Sequence, residues 1–271
     1  MSNEFRDRPL SFSIPLSLLI FISAMSGLLF KETYAAESAL AVSQAVAQDW
    51  IDLIVVIPLL LISSIFLRRN NRAAFVIWFG AMIYVVYIFS IVTLGLHFNE
   101  VFLLYCITLG LSFYTIVTVL AEIGLGTMKD WFDPKKSNNV IMTFLWVIAL
   151  IFFSQWIKQA TAALIRDDFR DPESLRSAVH VLDLAIYLPG MAIASALLRN
   201  RHPLGYVFAP ALVVFIILNG IVMAATVISM DSFDLPVNLS SIWLFIGIAL
   251  ASAAVLSDFL THLTPPLEAT V

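Results

Sequence analysis

The sequence predicts an all-α integral membrane protein, with eight transmembrane helices arranged as two parallel-repeat four-helix halves. Three observations lead there. Of 271 residues, 61% are hydrophobic and 13% charged, and the mean hydropathy is +0.94, whereas soluble domains are about half apolar and a quarter charged. Apolar runs near the ~20 residues needed to span a bilayer recur along the whole chain. One pattern also returns after a long interval: IDLIVVIPLLLISSIFLRR from Ile51 and LDLAIYLPGMAIASALLRN from Leu182.

Runs bounded by charge or turn signals place the helices at about 10–30, 50–67, 73–97, 100–120, 140–160, 173–198, 204–230 and 238–260. The first follows Arg6 and Arg8 and precedes TYAAES, as a leader would. Its apolar run exceeds the 7–15 residues of a signal h-region, so it is expected to be retained. The second carries Asp52 and Pro58 and ends at Arg68 and Arg69. Helices three and four are joined by the short connection HFNE, and GTMKDWFDPKKSNN reads as an interfacial loop between helices four and five. Ahead of helix six, Asp171-Pro172 has the form of an N-cap followed by proline at the first helical position. The tail THLTPPLEATV is expected to be unstructured, with His202 and His262 solvated. The divisions are 1–9 as a cytoplasmic N-terminus, 10–130 and 131–260 as the two repeats, and 261–271 as a cytoplasmic tail.

Lys and Arg set the orientation. With the N-terminus inside, the inner segments hold Arg6, Arg8, Arg68, Arg69, Arg72, Lys129, Lys135, Lys136, Arg199 and Arg201. The outer ones hold only Lys31, Lys158, Arg166, Arg170 and Arg176. Both termini are therefore expected on the cytoplasmic face.

In the repeat, Asp52 lies over Asp183, Pro58 over Pro189 and Arg68 over Arg199 without a gap. Apolar matches are common between membrane helices, but a shared Asp, Pro and Arg in one register are not. Beyond helix three the register fades and needs a slip of about four residues. Four helices return the chain to its starting side, so the halves share one orientation about an axis along the membrane normal.

The same pattern supplies the candidate site. Counted back from Arg68 and Arg199, Asp52 and Asp183 lie about 24 Å from the inner helix ends, in the outer part of a ~30 Å core. Pro58 and Pro189 lie about 15 Å from those ends, where kinks would shape a cavity. Asp49 and His180 stand three residues before the aspartates, on the same helix faces. His97 and Glu100 add ligands on the outer side. Intramembrane ionisable residues are functional candidates. As ligand or proton-binding groups the candidates are Asp52, Asp183, Asp49, His180, His97 and Glu100. Oxygen and imidazole from Asp49, Asp52, His180 and Asp183 would also suit a divalent metal. No other cofactor is expected. Against these readings stand a packing kink for the prolines and hydrated interfacial groups for the acids. Gln155 and Asn219 are expected to bond across helices, Glu122 and Asp258 to be solvated helix ends, and Trp78, Trp146, Tyr84, Tyr87, Tyr105 and Tyr114 to pack.

Several functions are argued against. No lysine lies deep in a span, which disfavours a retinal Schiff base, and H-E-x-x-H, G-x-S-x-G and the P-loop are missing. The single Cys106 allows no disulfide framework or thiolate metal centre. The basic residues are scattered over inner loops, so nucleic acid is not expected as a partner.

The segments QDWIDLIVVIPLLL, RRNNRAAFVIWFGAMIYVVYIF and HFNEVFLLYCITLGLSFY resemble uncharacterised bacterial multi-pass inner-membrane proteins of unknown function. VHVLDLAIYLP and LGYVFAPAL extend the resemblance into helices six and seven. It implies the topology and a bacterial inner (plasma) membrane, and no activity. Three readings follow. The first is a protein that binds or translocates a small solute or ion between the halves. The second is a membrane-embedded enzyme with a periplasm-facing metal, acting on a lipid. The third is a non-catalytic sensor or assembly subunit paired with a partner.

Overall fold

In the computed structural model, residues 3–122, 128–166 and 178–264 are described. Eight helices among them are long and apolar enough to cross a membrane, with mean hydropathy between 1.9 and 2.7. They are α1 (Asn3–Leu29), α2 (Ala39–Arg68), α3 (Arg72–Gly95), α4 (Phe102–Glu122), α5 (Asn139–Arg166), α6 (Ala178–Arg199), α7 (Pro203–Ser232) and α8 (Leu239–Leu260). The chain is a polytopic membrane protein.

Local chemistry sets several boundaries. Ser38 caps α2 by accepting the Ala41 N–H, Asn71 caps α3 through the Ala74 N–H, and Asn238 caps α8 through the Ser240 N–H. Pro203 opens α7, where its missing N–H is no loss. The tight links from α2 to α3 and from α6 to α7 each turn on a residue in the left-handed region, Asn70 at φ 62° and Arg201 at φ 53°. These two are 131 positions apart, as are the starts of α3 and α7.

The aspartates and prolines lie within continuous helices that widen locally. Asp52–Val56 and Asp183–Tyr187 are π turns, in which the N–H of Ile57 reaches the Asp52 carbonyl and that of Leu188 reaches the Asp183 carbonyl. One residue later come Pro58 and Pro189, which have no N–H to continue the α ladder. The expected proline kinks thus take the form of a one-residue widening ahead of each proline, a device common at functional sites.

Helices α3 and α7 form the centre: 72% and 67% of their spanning windows are buried, against 11–39% for the other six. Lipid tails are as apolar as leucine, so close packing, rather than removal from water, must hold this pair together. Gly80 permits it. A Cβ there would stand 2.5 Å from the Val214 Cβ and 2.7 Å from the Ala211 carbonyl oxygen. Farther along, the Tyr84 and Phe215 rings meet at 6.4 Å. Around the pair, α1 packs on α2, α2 on α3, α3 on α4, and α4 back on α1. The other four repeat the circuit, with α5 on α6, α6 on α7, α7 on α8, and α8 on α5.

Four expectations need correction. Helix two begins at Ala39, eleven residues before the expected start, because the Ser38 cap and an alanine-rich turn extend it. The start of the tail is ordered: Phe132 and Leu263 form an antiparallel bridge, with the Asp133 N–H on the His262 carbonyl at 2.9 Å and the Thr264 N–H on the Trp131 carbonyl at 2.7 Å. His262 is consequently buried rather than solvated, at 7% exposure. Asn219 donates to the Phe215 carbonyl of its own helix, not across helices. The expected Asp171-Pro172 cap lies outside the described residues. The bridge also pairs positions 131 apart.

Candidate functional site

The site grows from the unexpected first half of α2. Helical spacing places Gln48 one turn from Asp52, and the Gln48 amide donates to the Asp52 Oδ1 at 2.7 Å. Tyr84 on α3 donates its hydroxyl to the Gln48 Oε1 at 2.9 Å. Asp49 receives the Tyr34 hydroxyl on its Oδ2 at 2.9 Å. Tyr34 comes from the 3-10 turn Lys31–Tyr34 between α1 and α2. That turn is tied down by Thr33, which donates to the Ser26 carbonyl, and by Asn99, which donates to the Thr33 carbonyl, both at 3.1 Å.

Gly27 on α1 lies directly beneath this contact, and a Cβ there would collide with the Asp49 carboxylate and the Tyr34 hydroxyl. Burial, followed by the neighbouring Asp49, pushes the Tyr34 phenol above its ordinary range. Tyr34 therefore remains a donor at any physiological pH.

Asp49 and Asp52 are 6% and 4% exposed. They line a cavity of about 20 Å³, together with Ser23, Tyr34, Gln48 and Tyr105. That is room for one water-sized occupant. The buried Ser23 hydroxyl has no hydrogen-bond partner among the described residues, and the buried Tyr105 hydroxyl makes none of good geometry, standing beside Tyr34 and Asn99. No lysine, arginine or histidine pairs with either carboxylate among the described residues. The cavity thus presents two acids and the hydroxyls of Ser23 and Tyr105, with no counter-charge among the described residues.

Asp183 stands in a different setting. Its Oδ1 accepts from the Tyr87 hydroxyl and its Oδ2 from the Trp156 Nε1, each at 3.0 Å. His180 lies against Trp156 with ring centroids 4.1 Å apart, and its Nε2 is 3.3 Å from the Gln159 Oε1. Asp183 does not line the Asp49–Asp52 cavity. Asp52 and Asp183 keep separate donors, yet both donor sets reach α3, through Tyr84 and Tyr87. Tyr87, Tyr187 and Phe215 form a ring cluster between them, with centroids 4.7–5.0 Å apart.

The remaining candidates are peripheral. The His97 backbone N–H donates to the Glu37 Oε1 at 2.6 Å, and the His97 Nδ1 lies 3.2 Å from the same oxygen, which ties two connections together. Glu100 is exposed. Among the described residues no three His, Cys, Asp or Glu side chains are grouped to hold a metal ion. A separate apolar groove of about 390 Å³ runs between α3, α4 and α6, past Ser90, Gly110 and Tyr187.

Sequence reasoning missed Tyr34, Gln48, Ser23 and Trp156, and treated Tyr84, Tyr87 and Tyr105 as packing. Gln48 had a usable signal, its i, i+4 spacing to Asp52. The others come from distant segments and had none. No protein-family model matches the chain, and neither does a curated protein nor a solved structure.

Proposed function

We propose that the protein binds and translocates a small ion, or a solute coupled to one, using two parallel four-helix halves in a bacterial inner membrane with both termini cytoplasmic. The observation that carries this reading is the small cavity of Asp49 and Asp52, in which two buried carboxylates have no paired cation among the described residues. Two carboxylates buried side by side attract a proton or a cation.

The two-half arrangement draws support from coincidences at one spacing of 131. These are the π turns at Asp52 and Asp183, the left-handed Asn70 and Arg201, and the bridge of Phe132 with Leu263. Contacts between equivalent positions, such as Gly80 with Ala211 and Tyr84 with Phe215, are what an axis between α3 and α7 would produce. The equivalents of Gln48, Asp49 and Tyr84 are Val179, His180 and Phe215. In this reading the first half holds the ion and the second has diverged around Asp183. Alternating movement of the halves across the α3–α7 contact would expose the cavity to each side in turn.

Purified protein in proteoliposomes tests the reading. An imposed sodium or proton gradient is expected to drive charge movement that Asp52→Asn abolishes and Asp183→Asn reduces. Movement that is unchanged in the double variant, or no movement above protein-free vesicles, rejects it.

A further inference from the structure

We infer that the cavity between Asp49 and Asp52 binds a single dehydrated sodium ion, coordinated by oxygens of Asp49, Asp52, Ser23 and Tyr105. This rests on the ion-binding reading above and names its ligand.

Three features select the ion. The polar lining of the cavity is all oxygen apart from the Gln48 amide, whose nitrogen is already engaged on Asp52. Oxygen sets favour hard cations, while softer metals seek imidazole or thiolate. The cavity is water-sized, at about 20 Å³. Magnesium keeps several of its waters and calcium takes 6–8 oxygen ligands, which this space and donor set do not supply. A shared proton would engage the two carboxylates and leave the buried Ser23 hydroxyl still unpartnered. A small cation accounts for all four groups together, since both hydroxyls can turn lone pairs toward it.

The surroundings are prepared for a cation rather than for bare acids. Tyr34 and Gln48 each occupy one oxygen of a carboxylate, Oδ2 of Asp49 and Oδ1 of Asp52. The other oxygen of each remains for the ion. Gly27 acts as a positioning residue, because only the absence of a side chain lets Asp49 and Tyr34 meet over α1. Ser23 lies one turn earlier on the same face of α1, which brings a ligand from a second helix, and Tyr105 brings one from α4.

Equilibrium binding of radioactive sodium to the full-length protein in detergent tests the site. Saturable binding near one ion per chain is expected, displaced by lithium and resistant to choline and magnesium. Ser23→Ala and Tyr105→Phe, which remove single oxygens, should each weaken it by about tenfold, and Gly27→Ala more. Asp49→Asn with Asp52→Asn should remove it. Melting temperature and elution profile establish that each variant is folded. Because Ser23→Ala deletes only an unpartnered hydroxyl, its loss of binding with an unchanged melting temperature separates ligation from folding.

Full binding in the double aspartate variant, or in both Ser23→Ala and Tyr105→Phe, overturns the proposal. So does proton uptake at the site, followed with an indicator dye, without sodium binding; that result leaves the ion-binding reading standing. If neither sodium nor protons bind, both inferences fall and the cavity holds water.

Discussion

Tyr34 donates its hydroxyl to the Asp49 carboxylate at 2.9 Å, joining the short turn after α1 to the middle of α2 across the open face of Gly27. The bond should contribute measurably to stability. Removing it with Tyr34→Phe leaves a buried carboxylate short of a donor, with an expected loss of about 1–3 kcal/mol, read as a lower melting temperature in detergent. The pH dependence has a definite sign. The folded-state Tyr34 value is raised above the unfolded value of about 10, so this stability is fully present below about pH 10 and lost as pH rises further. The native protein should therefore lose stability above pH 10 more steeply than Tyr34→Phe. Parallel alkaline profiles would show that the phenol is not protected.

The α3–α7 contact makes a second prediction through a pair of glycines. Gly80→Ala places a methyl against Val214 and the Ala211 carbonyl, an overpacking expected to cost about 1–3 kcal/mol. Gly110→Ala on α4 meets nothing within 4 Å, so the better helix propensity of alanine should leave stability unchanged or raise it by up to about 1 kcal/mol. Thermal unfolding of both variants in one detergent decides the matter. Equal effects would mean that close approach at Gly80 does not hold the centre together.

At the opposite end, the ordered start of the tail should respond to acid. Thr264 accepts Arg72 on its carbonyl and hydroxyl oxygens at 2.7 and 2.9 Å, and Arg72 also lies over the Trp131 ring at 5.5 Å. Buried beside this contact, the His262 Nδ1 has no hydrogen-bond partner among the described residues. Burial holds the imidazole below its ordinary value, with Asp258 and Asp133 opposing and Lys136 assisting. The released tail therefore takes up a proton more readily than the docked one, and docking weakens as pH falls below about 6.5. Amide exchange at Asp133 and Thr264, corrected for intrinsic rates, should quicken several-fold between pH 7.5 and 5.5, and His262→Leu should flatten the response. No pH effect in the native protein would rule the mechanism out.

The membrane spans and the paired aspartates were legible in the sequence, because hydropathy and a shared Asp, Pro and Arg are properties of the chain itself. The first half of α2 was not. Gln44, Gln48 and Asp49 lower its hydropathy, so a reading for apolar runs starts at Trp50 and cuts off the residues that build the cavity. Asp52 stands out as an acid in an apolar run, but Asp183, expected to share its site, has its own donors in Tyr87 and Trp156. The carboxylate that shares its cavity, Asp49, was already in sight three residues away. Tyr34, Ser23 and Tyr105 reach the cavity from other helices and connections, and no local pattern could announce them. His262 looked like any polar tail residue. Its burial follows from the bridge between Phe132 and Leu263, a contact between distant segments that no local pattern announces.

In the proposed site Asp49 and Asp52 together hold a cation. Infrared difference spectroscopy of the reconstituted protein, exchanging choline for sodium, observes those carboxylates directly. A sodium-dependent shift in carboxylate stretching bands is expected, diminished in Asp49→Asn and in Asp52→Asn and retained in Asp183→Asn. A native spectrum that does not change on sodium addition, or a shift lost only in Asp183→Asn, would contradict it.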